Sequence, residues 1–382
     1  MIFDTITITV CTVLVVLVSA SILADTFFKK IRTDKNDCNI SDKEQYPTVS
    51  VVIVADNNAD ELKKNLPVFL SQNYHTNYEV IVAVEKDEDG TEDVLKEFAN
   101  YPNLYATFVP DSSRYMSRRK LAITLGVKAA SNEWILLTDA TCRPASSEWI
   151  NRMARNCSKD TNMVIGYGNY DSETGVSKTF YRFHQEYAQL LEASHGHAYS
   201  TSGKNLMFRK SMFMSGYGFQ GNLKYIRGEY DFLVNKYATN GIIRIETNPS
   251  SFIIDKAPSK KEWRNMNVFY HETSRHLSRS FIHKSRFYLD MLAFHLCLLA
   301  SLTSIIYSIS TQCWDVLILS VLALLLPCFS RTYHATKALR LFNMAIPKWK
   351  VLPLEFYLVW TNLKYSIIHK FSDKYTFISH KS

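Results

Sequence analysis

The chain is poor in cysteine, and the little it has is not arranged for chemistry. Seven cysteines (Cys11, Cys38, Cys142, Cys157, Cys297, Cys313 and Cys328) occur in 382 residues, with no CxxC and no metal-type pairing. Four of them lie in membrane-like stretches, so all seven are expected to be free thiols of a reducing compartment. The histidines His195, His197, His271 and His276 lack metal-ligand spacing and read as ordinary polar residues, with His276 the one worth testing. A single basic patch interleaved with aromatics is also missing. The formal net charge is +8, but the basic residues gather at Lys29 to Lys35, Arg275 to Arg286 and Arg331 to Lys350. Each cluster borders an apolar stretch, the pattern of positive charge left on the cytoplasmic side of a membrane, and nucleic acid is excluded as a partner. With 47% hydrophobic residues the chain can bury a sizeable core, which excludes a disordered protein.

Charge is absent altogether from Thr5 to Ala24. About 20 helical residues span the ~30 Å of hydrocarbon. The leader Met1-Ile2-Phe3-Asp4 lacks the positive charge of a signal peptide, so a membrane anchor is expected, and Lys29, Lys30 and Arg32 behind it put the main domain in the cytoplasm. From Met291 to Trp314 only His295 is ionisable, and Val316 to Ser330 is uncharged with Pro327 inside it; together they read as a hairpin returning to the cytoplasm at Arg331. Val351 to Asn362 contains Pro353 and Glu355, is too short to cross, and is expected to be an interfacial helix. The expected organisation is an anchor at 1–28, a linker at 29–46, a cytoplasmic domain at 47–286, a membrane hairpin at 287–331 and a basic tail at 332–382. Three spans without polar pairs inside them argue against a transporter.

Between the anchors, strands alternate with helices. Val49 to Val54 is a β-branched strand ending in Ala55-Asp56-Asn57-Asn58, and Asp60 to Leu70 has helical spacing with Leu62, Leu66, Phe69 and Leu70 on one face. Glu79 to Val84 is a second strand ending in Glu85, with Thr91 to Phe98 a helix and Leu104 to Val109 a third strand. A helix from Ser117 to Ala130 leads to Trp134-Ile135-Leu136-Leu137-Thr138-Asp139, an uncharged run that reads as a strand buried on both faces. Further on, Met163 to Gly168, Asn205 to Arg209, Ile242 to Glu246 and Ser251 to Ile254 read as strands. Lys178 to Glu192 reads as an aromatic-rich helix, and Arg227 to Leu233 as the start of one with acids in its first turn. The fold class is α/β, a mostly parallel doubly wound sheet, and ligands of such sheets bind outside the carboxyl ends of the strands, where Asp139 stands.

The run from Tyr101-Pro102-Asn103-Leu104 through Lys120-Leu121-Ala122 and Leu125-Gly126-Val127-Lys128-Ala129-Ala130 to Thr138-Asp139-Ala140-Thr141-Cys142-Arg143-Pro144 resembles glycosyltransferase family 2, in its membrane-bound branch of Bacteroides-type bacteria. The resemblance covers roughly residues 45 to 290. It implies the A-type nucleotide-sugar transferase fold, with Ala55, Asp56 and Asn57 lining the nucleotide, Glu85 holding uracil or ribose, and Lys120 near the pyrophosphate. It further implies that Asp139 opens the Asp-Ala-Asp metal motif, that Gly203-Lys204-Asn205 (Gly203 and Asn205 in particular) lies beside the donor sugar, and that Glu229 to Asp231 supplies the general base. Arg275-His276-Leu277-Ser278 resembles the end of the family's Arg/Gln-rich loop.

Three positions depart from that pattern. Thr141 stands where the family has the second motif Asp, leaving a hydroxyl beside Asp139 for a Mg or Mn ion. Tyr230 stands where it has an acid, so the base must be Asp231 or Glu229. Trp263-Arg264 is not part of a clean Gln-x-x-Arg-Trp, which argues against processive synthesis. The expected activity is inverting transfer from a nucleotide-diphosphate sugar, UDP-linked, to a lipid-linked or envelope glycan acceptor at a bacterial inner membrane. In it a cation on Asp139, with Lys120 or a basic residue near Arg275, meets the departing phosphate charge. The other reading is a catalytically weakened homologue that binds a nucleotide sugar or scaffolds glycan assembly.

Overall fold

The computed structural model describes residues 5–32, 46–110, 117–238 and 241–378. The chain divides into two compact units, one built from Met1–Lys30 with Arg279–Thr361 and the other from Ile31–Ser278 with Asn362–Ser382. The Met1 to Asp4 leader, Cys38 and all of the expected linker except residues 29–32 and 46 lie outside the described residues.

Helix α1 (Thr5–Ala24) belongs to the first unit. The second unit begins with β1 (Val49–Asp56), α2 (Ala59–Leu70), β2 (Tyr78–Lys86), α3 (Thr91–Glu97), β3 (Leu104–Phe108), α4 (Arg118–Ala129) and β4 (Trp134–Asp139). It continues through β5 (Cys142–Pro144), α5 (Trp149–Ala154), β6 (Thr161–Gly166), β7 (Gly168–Tyr170), α6 (Val176–Ser194) and β8 (Leu206–Arg209). Then come α7 (Lys210–Ser215), α8 (Glu229–Tyr237), β9 (Ile242–Glu246), β10 (Ile253–Asp255) and α9 (Lys260–Arg275).

Seven strands form one sheet in the order β3-β2-β1-β4-β8-β6-β9, with every pairing parallel except those of β8. The expected mostly parallel sheet is therefore present. Its central strands are buried on both faces, which their β-branched runs dictate. On one face Val49, Val51, Ile53 and Ala55 pack with Leu62, Leu66 and Phe69 of α2 and with Trp149, Ile150 and Met153 of α5. Against the other face α4 comes so close at Gly126 that a Cβ there would stand 2.6 Å from Val52 Cγ1. Because β1, β2 and β4 are parallel, their carboxyl ends bring Asp56, Glu85 and Asp139 to one edge.

A separate three-stranded sheet has the order β5-β10-β7. The expected strand Met163 to Gly168 is two strands broken at Tyr167: β6 pairs in the large sheet and β7 pairs with β10 in the small one. The expected strand Ser251 to Ile254 starts later, because Asn248 caps a 3-10 turn at Pro249–Ser251 by accepting the amide of Ser250 at 2.9 Å. Helix α9 replaces what the resemblance treats as loop before Arg275. It is closed by a capping box in which Ser259 and Glu262 exchange side-chain to backbone bonds.

The first unit adds α10 (Phe281–Thr311), α11 (Trp314–Leu341) and the part of α12 (Val351–Lys370) up to Thr361. Helices α1, α10 and α11 are long and apolar enough to cross a membrane. α10 and α11 are longer than the expected spans and contain a buried polar pair that those shorter spans excluded. Arg331 of α11 donates to Asp290 of α10 at 2.7 Å and to Glu355 of α12 at 2.6 Å, and all three are at most 1% exposed. α12 is a 20-residue helix rather than a short stub, with Val351, Leu354, Glu355, Leu358 and Thr361 buried along one stripe.

Candidate active site

A cavity of about 370 Å³ opens at the carboxyl edge of the sheet, inside the second unit. Its floor is Asp139, the last residue of β4, 4% exposed. Both oxygens of that carboxylate are engaged. Oδ1 pairs with Arg119 and accepts the Tyr230 hydroxyl at 3.0 Å, while Oδ2 pairs with Lys204 Nζ at 3.1 Å. Burial alone would raise Asp139, but the Arg119 and Lys204 cations outweigh it and hold the carboxyl below its ordinary range.

A second acid mirrors it from β10. Asp255 pairs with Lys204 Nζ at 2.9 Å and Arg182 Nη1 at 2.8 Å, and accepts the Thr141 hydroxyl at 2.8 Å. Although burial works against its charged form, Lys204 and Arg182 hold it far below the usual carboxylate range. Glu229, the first residue of α8, stands 3.8 Å from Arg119 Nε through one oxygen, and its other oxygen is buried without a partner. Asp231 accepts the hydroxyl of Ser200. Burial pushes Asp231 up to about 6, so near neutral pH it is a charged, poised proton acceptor. Gly228, at φ +90°, lets the chain enter α8 beside Thr273, where a Cβ would stand 2.4 Å from Thr273 Cγ2.

Asp56, Asp139, Thr141, Glu229 and Asp231 thus meet on one cavity. Other expected residues do not reach it. Ala55 is fully buried in β1 between Val54 and Asp56, and strand alternation points it into the core away from the cavity they line. Asn57, at φ +50°, spends its side chain on the β2–α3 loop, accepting the Glu88 amide at 3.0 Å. Lys120 is completely buried: its ammonium donates to the carbonyls of Asn222, at 2.8 Å, and Tyr225, and burial lowers it to about 8. It staples a loop and does not line the cavity, although its charge reaches Glu229 and Asp231. Glu85 does not line the cavity; one of its oxygens is buried without a hydrogen-bond partner, and burial pushes it up to about 7 despite Arg119.

In the 203–205 loop the exposed chemistry belongs to the middle residue. Gly203 has no room for a side chain, since a Cβ would lie 2.8 Å from Glu186 Oε2. Asn205 is fully buried and ties the loop to Trp149, Tyr167 and Ser251. Arg275 is exposed at the end of α9, and His276 stacks on Tyr225 at 4.3 Å; neither lines the cavity. The cations that do line it are Arg119, Arg182, Lys204, Arg227 and Lys256. Sequence reasoning missed Arg119, Arg182 and Asp255, and named Lys204 only as the middle of the Gly203-Lys204-Asn205 loop. A hint for Arg119 lay in the run Arg118-Arg119-Lys120 after β3, of which the wrong member was chosen.

The cavity lining is also aromatic. Tyr170, Tyr181 and Trp263 line it, with Trp263 edge-on to Tyr181 at 5.3 Å and to Tyr170 at 6.3 Å. In the aromatic helix α6, Phe180 and Phe183 are core, and Tyr181 lines the cavity.

The sequence model of glycosyl transferase family 21 matches residues 11–358. The chain belongs to glycosyl transferase family 21. This is a different family from the family 2 that the sequence resembles, and the shared part of the two readings is the A-type glycosyltransferase fold. Glycosyltransferase AglE of Haloferax volcanii is 29% identical over 108 residues, 28% of this chain, and the match spans 34% of that relative's length. Among solved structures, the mannosyltransferase PcManGT from Pyrobaculum calidifontis in complex with GDP-Man and Mn2+ superposes with a TM-score of 0.53. It is 15% identical over 95% of this chain and 98% of that one.

A divalent cation does not fit the residues that this family 21 chain places at the motif. Asp139 has no free oxygen, the Thr141 hydroxyl donates its proton to Asp255, and an ammonium already stands between the two acids. Among the described residues no group of three or more His, Cys, Asp or Glu side chains has the geometry to hold a metal ion. At the expected Mg or Mn site, Asp139 and Thr141 stand in an ion-paired cluster with Lys204, Arg119 and Asp255.

Proposed function

We propose that the protein transfers a sugar, with inversion, from a nucleotide-diphosphate donor to a lipid-linked or envelope glycan acceptor. The observation that carries this reading is one cavity joining the strand-end acids, a ring of cations and a poised carboxylate. Transfer requires neutralisation of a departing diphosphate, a seat for the sugar and a base for the attacking hydroxyl. Arg119, Arg182 and Lys204 offer preorganised positive charge of the kind that stabilises a leaving phosphate. Asp56, at the end of β1, is placed to meet the nucleoside. Asp231 is the base: Glu229 is turned toward Arg119, and the Tyr230 hydroxyl is a donor to Asp139 whose ionisation burial suppresses. The aromatic wall suits the apolar face of a sugar ring.

The donor is UDP-linked in this reading, on the strength of the resemblance in the strand-end residues, and transfer is non-processive. The three apolar helices and the basic residues flanking them support an inner-membrane protein with its second unit facing the cytoplasm. The test is nucleotide release by the purified full chain, with a panel of UDP- and GDP-sugars and lipid acceptors. Release that falls about 100-fold in Asp139→Ala and in Asp231→Ala is the expected result. No release by the unsubstituted protein with any donor would favour a nucleotide-sugar-binding scaffold instead.

A further inference from the structure

We infer that the Lys204 ammonium takes the place of a divalent cation in this chain, so that it binds the donor diphosphate without a metal. The inference deepens the transferase reading and rests on it. Lys204 Nζ lies 3.1 Å from Asp139 Oδ2, 2.9 Å from Asp255 Oδ2 and 3.3 Å from Thr141 Oγ1. Those three oxygens face one point, the point a cation between the acids would occupy. Their distances suit N–H···O bonds; a divalent ion of Mg2+ size would draw its oxygens in to about 2.1 Å.

Charge accounting agrees. Arg119, Arg182 and Lys204 stand against Asp139, Asp255 and Glu229, three cations for three carboxylates, so the cluster has no negative surplus to attract a 2+ ion. The residue types explain how this came about. Thr141 replaces the acid that would have been the second metal ligand, and a hydroxyl can both accept from an ammonium and donate to Asp255, which a carboxylate cannot do.

The backbone supplies an independent observation. Lys204 sits at φ +51°, in the left-handed region where a glycine would be free of strain, immediately after Gly203. A long basic side chain is held there at a conformational cost, as are four other non-glycine residues among those described. Of its three bonds, the one to the neutral hydroxyl is the longest. A phosphate oxygen can replace Thr141 as the third acceptor while both carboxylates stay in place, so the ammonium would bridge Asp139, Asp255 and the diphosphate. Arg119 holds Asp139 through Oδ1, the oxygen that Lys204 leaves, and Arg182 shares Asp255 Oδ2 with Lys204.

The experiment uses calorimetric titration of the full-length protein with UDP and GDP, in EDTA and then in MnCl2, together with electron paramagnetic resonance of free Mn2+. The expected result is UDP or GDP binding within about threefold in the two buffers, and no stoichiometric uptake of Mn2+. Lys204→Met should weaken diphosphate binding at least 30-fold while leaving uridine or guanosine binding near its original strength. Since that variant removes one cation from between two buried acids that keep Arg119 and Arg182, Lys204→Met with Asp255→Asn serves as the charge-relieved version and should show the same loss. Lys204→Met with Thr141→Asp should take up one Mn2+ and recover diphosphate binding only in its presence. Binding by the unsubstituted protein that disappears in EDTA and returns with Mn2+ overturns the inference alone, as does undiminished diphosphate binding by the charge-relieved variant. Absence of nucleotide binding in both buffers overturns it together with the transferase reading.

Discussion

Asp231 carries the sharpest expectations of any single residue. Its carboxyl is pushed up to about 6 by burial, with the Ser200 hydroxyl opposing. As a base it works only when deprotonated, so kcat/KM should climb about tenfold per pH unit on the acid side and level off above about 6. A plateau reached already at pH 4.5 would remove Asp231 from that role. Stability moves the other way. An acid whose folded pKa is raised contributes stability below its ordinary value and loses it as pH rises through the folded value, here between about 4 and about 6. At pH 8 the Asp231→Asn protein should therefore be more stable than the parent by about 1–2 kcal/mol while failing to transfer, seen as a higher thermal midpoint beside a lost rate. Asp139 and Asp255 have the opposite sign. Cations hold both low, so their contribution is present above about pH 4 and fades as pH falls further.

Among elements, α4 connects the fold to the site most directly. Its N-terminus is capped by Ser117, its first turn places Arg119 in the cavity and Lys120 under the 222–226 loop, and its middle lies on β1 through Gly126. Gly126→Ala would force a methyl against Val52 in a packed core and should cost about 1–3 kcal/mol, read as a lower denaturant or thermal midpoint. A midpoint unchanged within error would show that the helix can shift. The helix itself and all four strands leading to Asp139 were legible in the sequence, because their apolar periods are local. Asp139 was legible for the same reason, since it ends an uncharged strand; Asp56, Glu229 and Asp231 were named through the resemblance. Arg182 and Asp255 were not. Arg182 lies within a helix whose sequence stands out only for its aromatics, and Asp255 ends a three-residue strand 116 positions after Asp139, so only the pairing of β10 with β5 and β7 brings it to the cavity. Lys204 was one residue from the two chosen, and its left-handed backbone leaves no mark in composition.

On the scale of the whole molecule, the helical unit has its own buried electrostatics. Removing Arg331 would leave Asp290 and Glu355 unpaired in a site from which water is excluded. Arg331→Met should cost about 3–5 kcal/mol, with the detergent-purified protein lost to aggregation. Replacing all three, Arg331→Met with Asp290→Asn and Glu355→Gln, should restore a monodisperse protein, and failure to do so would point to packing rather than charge.

The central claim is that the strand-end acids and their cations form the seat of a nucleotide diphosphate. A structure of the full chain with a nucleotide sugar bound tests it most directly. The account predicts the diphosphate against Arg119 and Lys204, the nucleoside toward Asp56, and Asp231 facing the open side of the sugar's anomeric carbon. A nucleotide seated elsewhere, or a metal ion bridging Asp139 to the diphosphate with Lys204 swung away, would contradict it.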